Sequence, residues 1–321
     1  MKKLVLLSCF IFIVSIGFAQ YNWEVGTNLG AANYLGEIGG KEKERRDFIL
    51  DLKLSQTRSA IGGFVRFKYR PNILLRGSAG WYRISGADKF STNPGRVGRN
   101  LSFRNDIYEL SFTGQYIFYT ISDLGKSYRY QNDFKAYVFT GAAGAYHNPK
   151  AEYKGVWTEL APLHTEGQGI VNGAPKPYGK FIFAVPVGAG FFFTISKLYR
   201  IGWEFNWRTT LTDYLDDVST VYADPSLLES QTAIELANRN PELQPYPEGS
   251  SIADPRNYYP HYEGSEYKYP KRGDPKHKDS YLSTTINLSY SLQGKSNFAK
   301  TKYKSAFKSR KFSKRTIRAK F

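Results

Sequence analysis

The residues with the widest chemical range in this 321-residue chain are four histidines, one cysteine and a cluster of aspartates. His147, His164, His261 and His277 share no spacing that brings imidazoles onto one metal ion. His147 ends an apolar run and is the position best placed to serve a lipid hydrolase or acyltransferase as a base. No Gly-x-Ser-x-Gly stretch supplies the strained turn that exposes a serine nucleophile. Polar loop residues are therefore the plainer reading of all four. Asp213, Asp216, Asp217 and Asp224 could offer oxygen ligands to calcium, but without the regular spacing and glycine of a dedicated calcium loop. Carboxylates that solvate and cap a loop fit this pattern better, and a docking surface for a partner is a third reading. No cofactor is expected.

The sharpest electrostatic signal lies at the C-terminus. From Lys295 to Phe321 there are eleven Lys or Arg and no Asp or Glu, out of a formal net charge of +17. Lys308, Arg310, Lys311, Lys314, Arg315 and Arg318 form its densest part, with Phe298, Tyr303, Phe307, Phe312 and Phe321 interleaved. Such a run is a solvated arm for a polyanion or an acidic protein face. Nucleic acid is the default target of that composition. The N-terminus argues against it, because an exported chain rarely meets nucleic acid. Lys2 and Lys3 precede an apolar run from Leu4 to Phe18, and Gly17 and Ala19 are the small residues of a cleavage site. Residues 1–19 read as a secretory signal peptide cut before Gln20. A lipoprotein reading with Cys9 as acceptor leaves too short an apolar core. Cleavage after Ala19 removes the only cysteine, and with it any disulfide framework or thiol nucleophile.

The elements that must position these residues are strands. No later segment offers about eighteen uninterrupted apolar residues, so no transmembrane helix is expected. Aromatics make up 16% of the chain, and a mean hydropathy of −0.47 still suits strands that alternate between apolar and polar faces. Tyr199–Leu211 shows the pattern most clearly. Tyr199, Ile201, Trp203, Phe205 and Trp207 fall on one face, with Arg200, Glu204, Asn206 and Arg208 on the other. Seven further runs alternate: 23–32, 60–69, 73–84, 107–119, 134–146, 181–193 and 281–292. Residues 34–46, 85–104, 147–179 and 212–280 read as long loops, the last holding a short helix within 226–238. The other three connections are short or moderate. An even strand number with alternating short and long links is the rhythm of an outer-membrane barrel. The expected fold is all-β: an eight-stranded antiparallel outer-membrane β-barrel over residues 20–294, with long extracellular loops and a basic C-terminal tail over 295–321. Its lumen is expected to be filled by side chains, among them Arg66, Arg76, Glu109, Gln115, Glu204 and Arg208.

Two stretches then carry a resemblance. Asn33-Tyr34-Leu35-Gly36-Glu37, and Thr212-Asp213-Tyr214-Leu215-Asp216-Asp217-Val218-Ser219 followed by Tyr222 and Asp224-Pro225, resemble the PorG family. These are outer-membrane barrel components of the type IX secretion system, the machinery linked to gliding motility in Bacteroidota. The resemblance implies a non-enzymatic anchor that holds periplasmic ring proteins near the outer membrane, with no catalytic residues. Partners implied are outer-membrane lipid and the ring proteins. Candidate partner-binding residues are Asp213, Asp216 and Asp217 together with the six tail cations named above. The competing reading is a small outer-membrane barrel that modifies lipids as an enzyme or acts as a narrow porin.

Overall fold

The computed structural model describes residues 22–39, 54–122, 133–170, 174–195, 198–244 and 270–292, with the backbone alone at 261–263 and 266–268. The expected signal peptide and the basic tail lie outside the described residues. All eight alternating runs form barrel strands. They are β1 (Trp23–Leu35), β2 (Arg58–Arg70), β3 (Ile73–Ala87), β4 (Ser102–Ile121), β5 (Asp133–Tyr146), β8 (Phe181–Ile195), β9 (Tyr199–Thr210) and β12 (Ser280–Ser291). Each pairs antiparallel with its neighbours, and β1 pairs with β12, so the sheet closes on itself with no free edge. Four smaller strands belong to the loops. These are β6 (Pro149–Tyr153) with β7 (Val156–Glu159), and β10 (His261–Glu263) with β11 (Glu266–Lys268).

Strand period sets the two faces. Leu110, Phe112, Phe183, Val187, Ile201, Trp203, Ile286 and Leu288 all point outward and are exposed, while Phe205 on the same face is half-buried. A fifteen-residue strand such as β8, rising ~3.3 Å per residue and tilted about 40°, clears an apolar band of about 25 Å. Aromatic side chains ring both borders of that band. Near the short turns, Phe134 meets Phe193 at 4.9 Å and Phe191 at 5.7 Å, and Tyr199 meets Tyr290 at 5.4 Å. Near the long loops, Trp81, Tyr108, Tyr146 and Phe181 lie side by side in register. Two residue pairs beyond that row, Arg83 donates to Asp106 at 2.7 Å on the outer face, where the apolar surface stops. The belt and its charged upper border make this a membrane-spanning barrel.

The lumen is a stack of polar and apolar layers. Nearest the short turns, Glu24 accepts from Arg66 at 2.8 Å and also from Arg200 and Ser289. Leu74, Ile117, Tyr137, Phe139 and Phe192 form an apolar layer above it. Glu204 then accepts from Arg76 and from the Tyr137 hydroxyl at 2.7 Å, and Arg76 reaches Asn28 at 3.0 Å. Higher still, Arg208 meets Glu109 at 2.5 Å and Ser283 at 2.8 Å, with its guanidinium 4.2 Å from the Tyr82 ring. The expected lumen residues are all in place and buried. Gly141, Ala143 and Ala145 of β5 stand on the lumen side, and Ala145 packs in one cluster with Tyr82 and Tyr281. Among the described residues, the lumen gaps beside Arg76 and beside Arg66 are each about 10 Å³, room for no more than one water apiece.

The loops hold more structure than their composition suggested. Residues 85–104 contain α1 (Pro94–Arg99), whose Asn93 side chain accepts from the amides of Gly95 and Arg96. β4 starts at Ser102, five residues before the apolar alternation becomes visible, because its outward positions there are Arg104 and Asp106 above the belt. In the last loop the short helix is α2 (Gln231–Ala237), capped by Ser230. Leu282 lies on the outward phase of β12 yet is buried, unlike Ile286 and Leu288 below it.

Arginine on the outward face should therefore cost about 2–4 kcal/mol near the midplane, as in Ile286→Arg or Trp203→Arg. Arg208→Ala should cost about 3–5 kcal/mol, because it strands a buried Glu109 carboxylate. The double change Glu109→Gln with Arg208→Met should recover most of that loss. Urea-induced unfolding in vesicles, followed by the gel-mobility difference between folded and unfolded barrel, reads all four. Equal tolerance of charge on both faces would rule out a lipid-facing belt.

Candidate functional site at the capped mouth

The long loops converge on one mouth of the barrel and seal it, and both stretches that carry the resemblance sit in the seal. β1 ends by delivering Tyr34 beneath the loop after β9. Its hydroxyl lies 2.6 Å from Asp216 and 2.7 Å from Asp279, and it accepts the Glu37 amide at 3.1 Å. A phenol has one hydrogen to donate, so of two carboxyl oxygens against it one must bring its own proton. Burial pushes the Asp216 carboxyl up to about 6, against the downward pull of the hydrogen bond it accepts from Tyr34. Gly36 leaves room for the arrangement, since a Cβ there would collide with the Tyr34 hydroxyl.

Asp217 holds the neighbouring knot. Its backbone is left-handed, with φ of 69°, a conformation Asp tolerates better than most residues. Its carboxyl accepts from Thr165 at 2.5 Å and from Tyr178 at 2.6 Å, with Arg272 at 3.6 Å. Burial pushes Asp217 up to about 6, and the pull of Arg272 does not cancel it. Asp213 accepts from the Ser219 hydroxyl at 2.7 Å, turning the same loop back on itself. The expectation of solvated carboxylates is corrected here. Asp213, Asp216 and Asp217 are buried ties between loops, not an exposed face for a partner. Asp224 behaves as a loop cap, accepting from the Ser226 amide at 2.8 Å, and Asp216 makes the same kind of turn contact with the Val218 amide at 3.0 Å. Among the described residues no group of three or more His, Cys, Asp or Glu could hold a metal ion.

Two arginines, unremarkable in the sequence, join the loops. Arg99, the last residue of α1, donates to both oxygens of Asp88 at 2.7 and 2.9 Å, to the Glu37 carbonyl at 3.0 Å and to the Arg272 carbonyl at 2.5 Å. Arg272 reaches Glu166 at 3.1 Å and the Asp217 carbonyl at 2.5 Å. Glu166 in turn accepts the amides of Ser219 at 2.9 Å and Thr220 at 3.1 Å. Burial works against both guanidinium charges, and the surrounding carboxylates outweigh it, so both pKa values rise. Glu37 is pushed up by burial and then by Asp216. Partners 173 residues apart in sequence, as Arg99 and Arg272 are, leave no local pattern to read.

His147 is sealed rather than poised. It is fully buried after β5, one ring nitrogen 3.3 Å from Asn105 and the other 3.1 Å from the Gly179 carbonyl, and it stacks on Tyr178. Burial pulls its pKa down to about 4, so it is neutral and both nitrogens are engaged. His164 sits in a left-handed turn, and His277 pairs with Asp274 at 2.9 Å on the surface. For His261 only the backbone is described, in β10. The six tail cations lie outside the described residues.

Tyr34→Phe leaves both the Asp216 carboxyl and the Glu37 amide short of a partner, at about 1–3 kcal/mol. Cleavage of the loops by protease in intact cells should accelerate while the barrel keeps its folded gel mobility. The raised carboxyls also set a pH dependence. A carboxyl raised on folding stabilises through its proton. That contribution is complete below the usual aspartate range near 4. It fades as pH climbs through about 6 for Asp217, and higher for Glu37. Loop amides should exchange more slowly at pH 5 than at pH 8, after correction for intrinsic rates. Faster exchange at pH 5 would contradict the assignment.

Against solved structures, the chain is similar to the N-terminal β-barrel domain of OprF from Pseudomonas aeruginosa, with 8% identity, 84% of this chain and 99% of that chain covered, and a TM-score of 0.31. Ail, the attachment invasion locus protein of Yersinia pestis, gives 8% identity over 84% and 97% of the two chains at a TM-score of 0.32. The outer membrane protein AlkL gives 10% over 88% and 95%, also at 0.32. At scores this low the reading rests on the chain's own strands and faces. No curated protein matches the chain. The family described as a domain of unknown function, DUF6089, matches residues 2–224, which takes in seven of the eight barrel strands and ends with the aspartate-bearing loop, and the chain belongs to that family.

Proposed function

We propose that this protein is a non-enzymatic barrel of the bacterial outer membrane that anchors periplasmic ring proteins of the type IX secretion machinery. The observation that carries this reading is closure. The lumen is filled by paired charges and an apolar layer, and the far mouth is sealed by buried loop ties. Among the described residues, lumen gaps of about 10 Å³ are too small for a solute, which counts against a narrow porin. A neutral His147 with both nitrogens engaged counts against a lipid-modifying enzyme. Activity is then left to the end with the short turns, which faces the periplasm in barrels of this type. Support for the particular machinery is the resemblance to the PorG family, whose two stretches form one contact through Tyr34 and Asp216.

The basic tail is the element that would make the attachment. It carries eleven like charges and no acid, a composition that attracts an acidic protein face. Attraction between exposed charges fades beyond a Debye length of about 8 Å at physiological salt. Deleting residues 296–321 should leave insertion and gel mobility intact and abolish co-purification of the ring proteins at low salt. With the full chain, capture should fall steeply as salt rises. Undiminished capture by the shortened chain would remove the tail from the mechanism.

A further inference from the structure

The three charged layers of the lumen are not balanced alike. Arg208 answers Glu109, and Arg76 answers Glu204, one to one. The layer at the periplasmic mouth has a single carboxylate, Glu24, facing Arg66 and Arg200 together. Lys68 of β2 and Lys135 of β5 line the same recess, so four cations surround one acid. Asp133, at the first position of β5, is the next acid and acts on Lys135 and Arg200 from the rim. Counting it, the mouth still carries two positive charges in excess. The Nε atoms of Arg66 and Arg200 are buried and have no hydrogen-bond partner among the described residues. Arg66 is 3% exposed, so its spare donor cannot be left to bulk water.

We infer that the periplasmic mouth is a second binding site, which takes a carboxylate side chain from an acidic peptide segment of a periplasmic partner. The rim of the recess, between Lys68 and Lys135, suits one small oxyanion group. The gap behind that rim is about 10 Å³, room for one water, and Leu74, Ile117 and Phe192 line it, so a carboxylate seats at the outer cations and meets the buried guanidinium groups through that water. Its outer cations differ in reach. Lys68 is exposed and Lys135 half-buried, so both ammonium groups can meet an arriving acid while Arg66 and Arg200 wait behind them. The last described residue, Leu292, bonds to the Trp23 carbonyl at 2.8 Å, so the chain enters its basic tail at this same mouth. A segment drawn in by the tail's charge would therefore arrive where a fixed cationic recess can hold it in register. The inference rests on the anchoring function proposed above and adds a place and a chemistry to it.

The test uses the full chain refolded in micelles and isotope-labelled for NMR. The probe is the peptide acetyl-Asp-Glu-Asp-Glu-amide, with acetyl-Asn-Gln-Asn-Gln-amide and inorganic phosphate as controls. The acidic peptide should shift the amides of residues 134–136 and 199–201 saturably, and the neutral peptide should not. Lys68→Gln with Lys135→Gln, which leaves Glu24, Arg66 and Arg200 in place, should weaken that binding at least fivefold with folded gel mobility unchanged. Shifts confined to residues 295–321 would overturn the recess while leaving the tail as the attachment. Shifts at the mouth from phosphate but not from the peptide would overturn the peptide assignment in favour of a free or lipid-borne phosphate.

Discussion

A closed tube of eight strands has no interior to spare for an unanswered charge. Each ion taken from water into such a lumen loses several kcal/mol of hydration, and only a well-placed opposite charge with its lone pairs engaged returns it. That constraint orders the molecule from one mouth to the other. Glu204 and Glu109 are each held by an arginine and a tyrosine hydroxyl, from Tyr137 and Tyr281. The lumen charges are spaced along the axis, with an apolar layer of Phe139 and Phe192 between the lowest pair and those above. Strand registers that look interchangeable from outside are fixed by these inner partners, because a slip of one residue would turn every charge toward lipid.

The same rule continues into the sealed mouth with a different solution. There the carboxyls outnumber the two buried arginines, and the surplus is met by tyrosine and threonine hydroxyls, by backbone amides and by retained protons. Tyr34 and Asp216 are 182 residues apart, yet their contact joins the end of the first strand to the loop after the seventh barrel strand. Loops bound this way extend the barrel as a rigid wall. The β6–β7 hairpin and the two short helices are parts of that wall.

Legibility in the sequence followed the period of the surroundings. Where one face meets lipid and the other a filled lumen, alternation is strict, and the limits of β8, β9 and β12 come within two residues of the apolar runs that mark them. Above the belt both faces of a strand can be polar, and the pattern disappears. That is why the first residues of β4, with Arg104 and Asp106 outward, read as loop. The lumen residues were legible because charge recurring in strand phase has nowhere else to go. The ties in the sealed mouth were not. Arg99 sits in an ordinary Gly-Arg turn sequence and Arg272 in a Lys-Arg-Gly one, and their roles exist only when distant loops meet. Aspartates clustered beside tyrosines looked like a solvated turn for the same reason. Their burial depends on what lies above them.

Closure through β1 and β12 has a consequence for how the chain comes into being. The first strand pairs with the last, Trp23 answering Leu292 through a 2.8 Å bond, so the strand made first waits for the one made last. Between β9 and β12 lie residues 211–279, which must reach the outer side before β12 can take its place. Until then both ends of the growing sheet are open edges flanked by bare aromatic surface, the condition most prone to wrong pairing. An assembly pathway for this barrel has to shelter β1 throughout that delay. A chain truncated anywhere before residue 280 would keep its edge exposed for good.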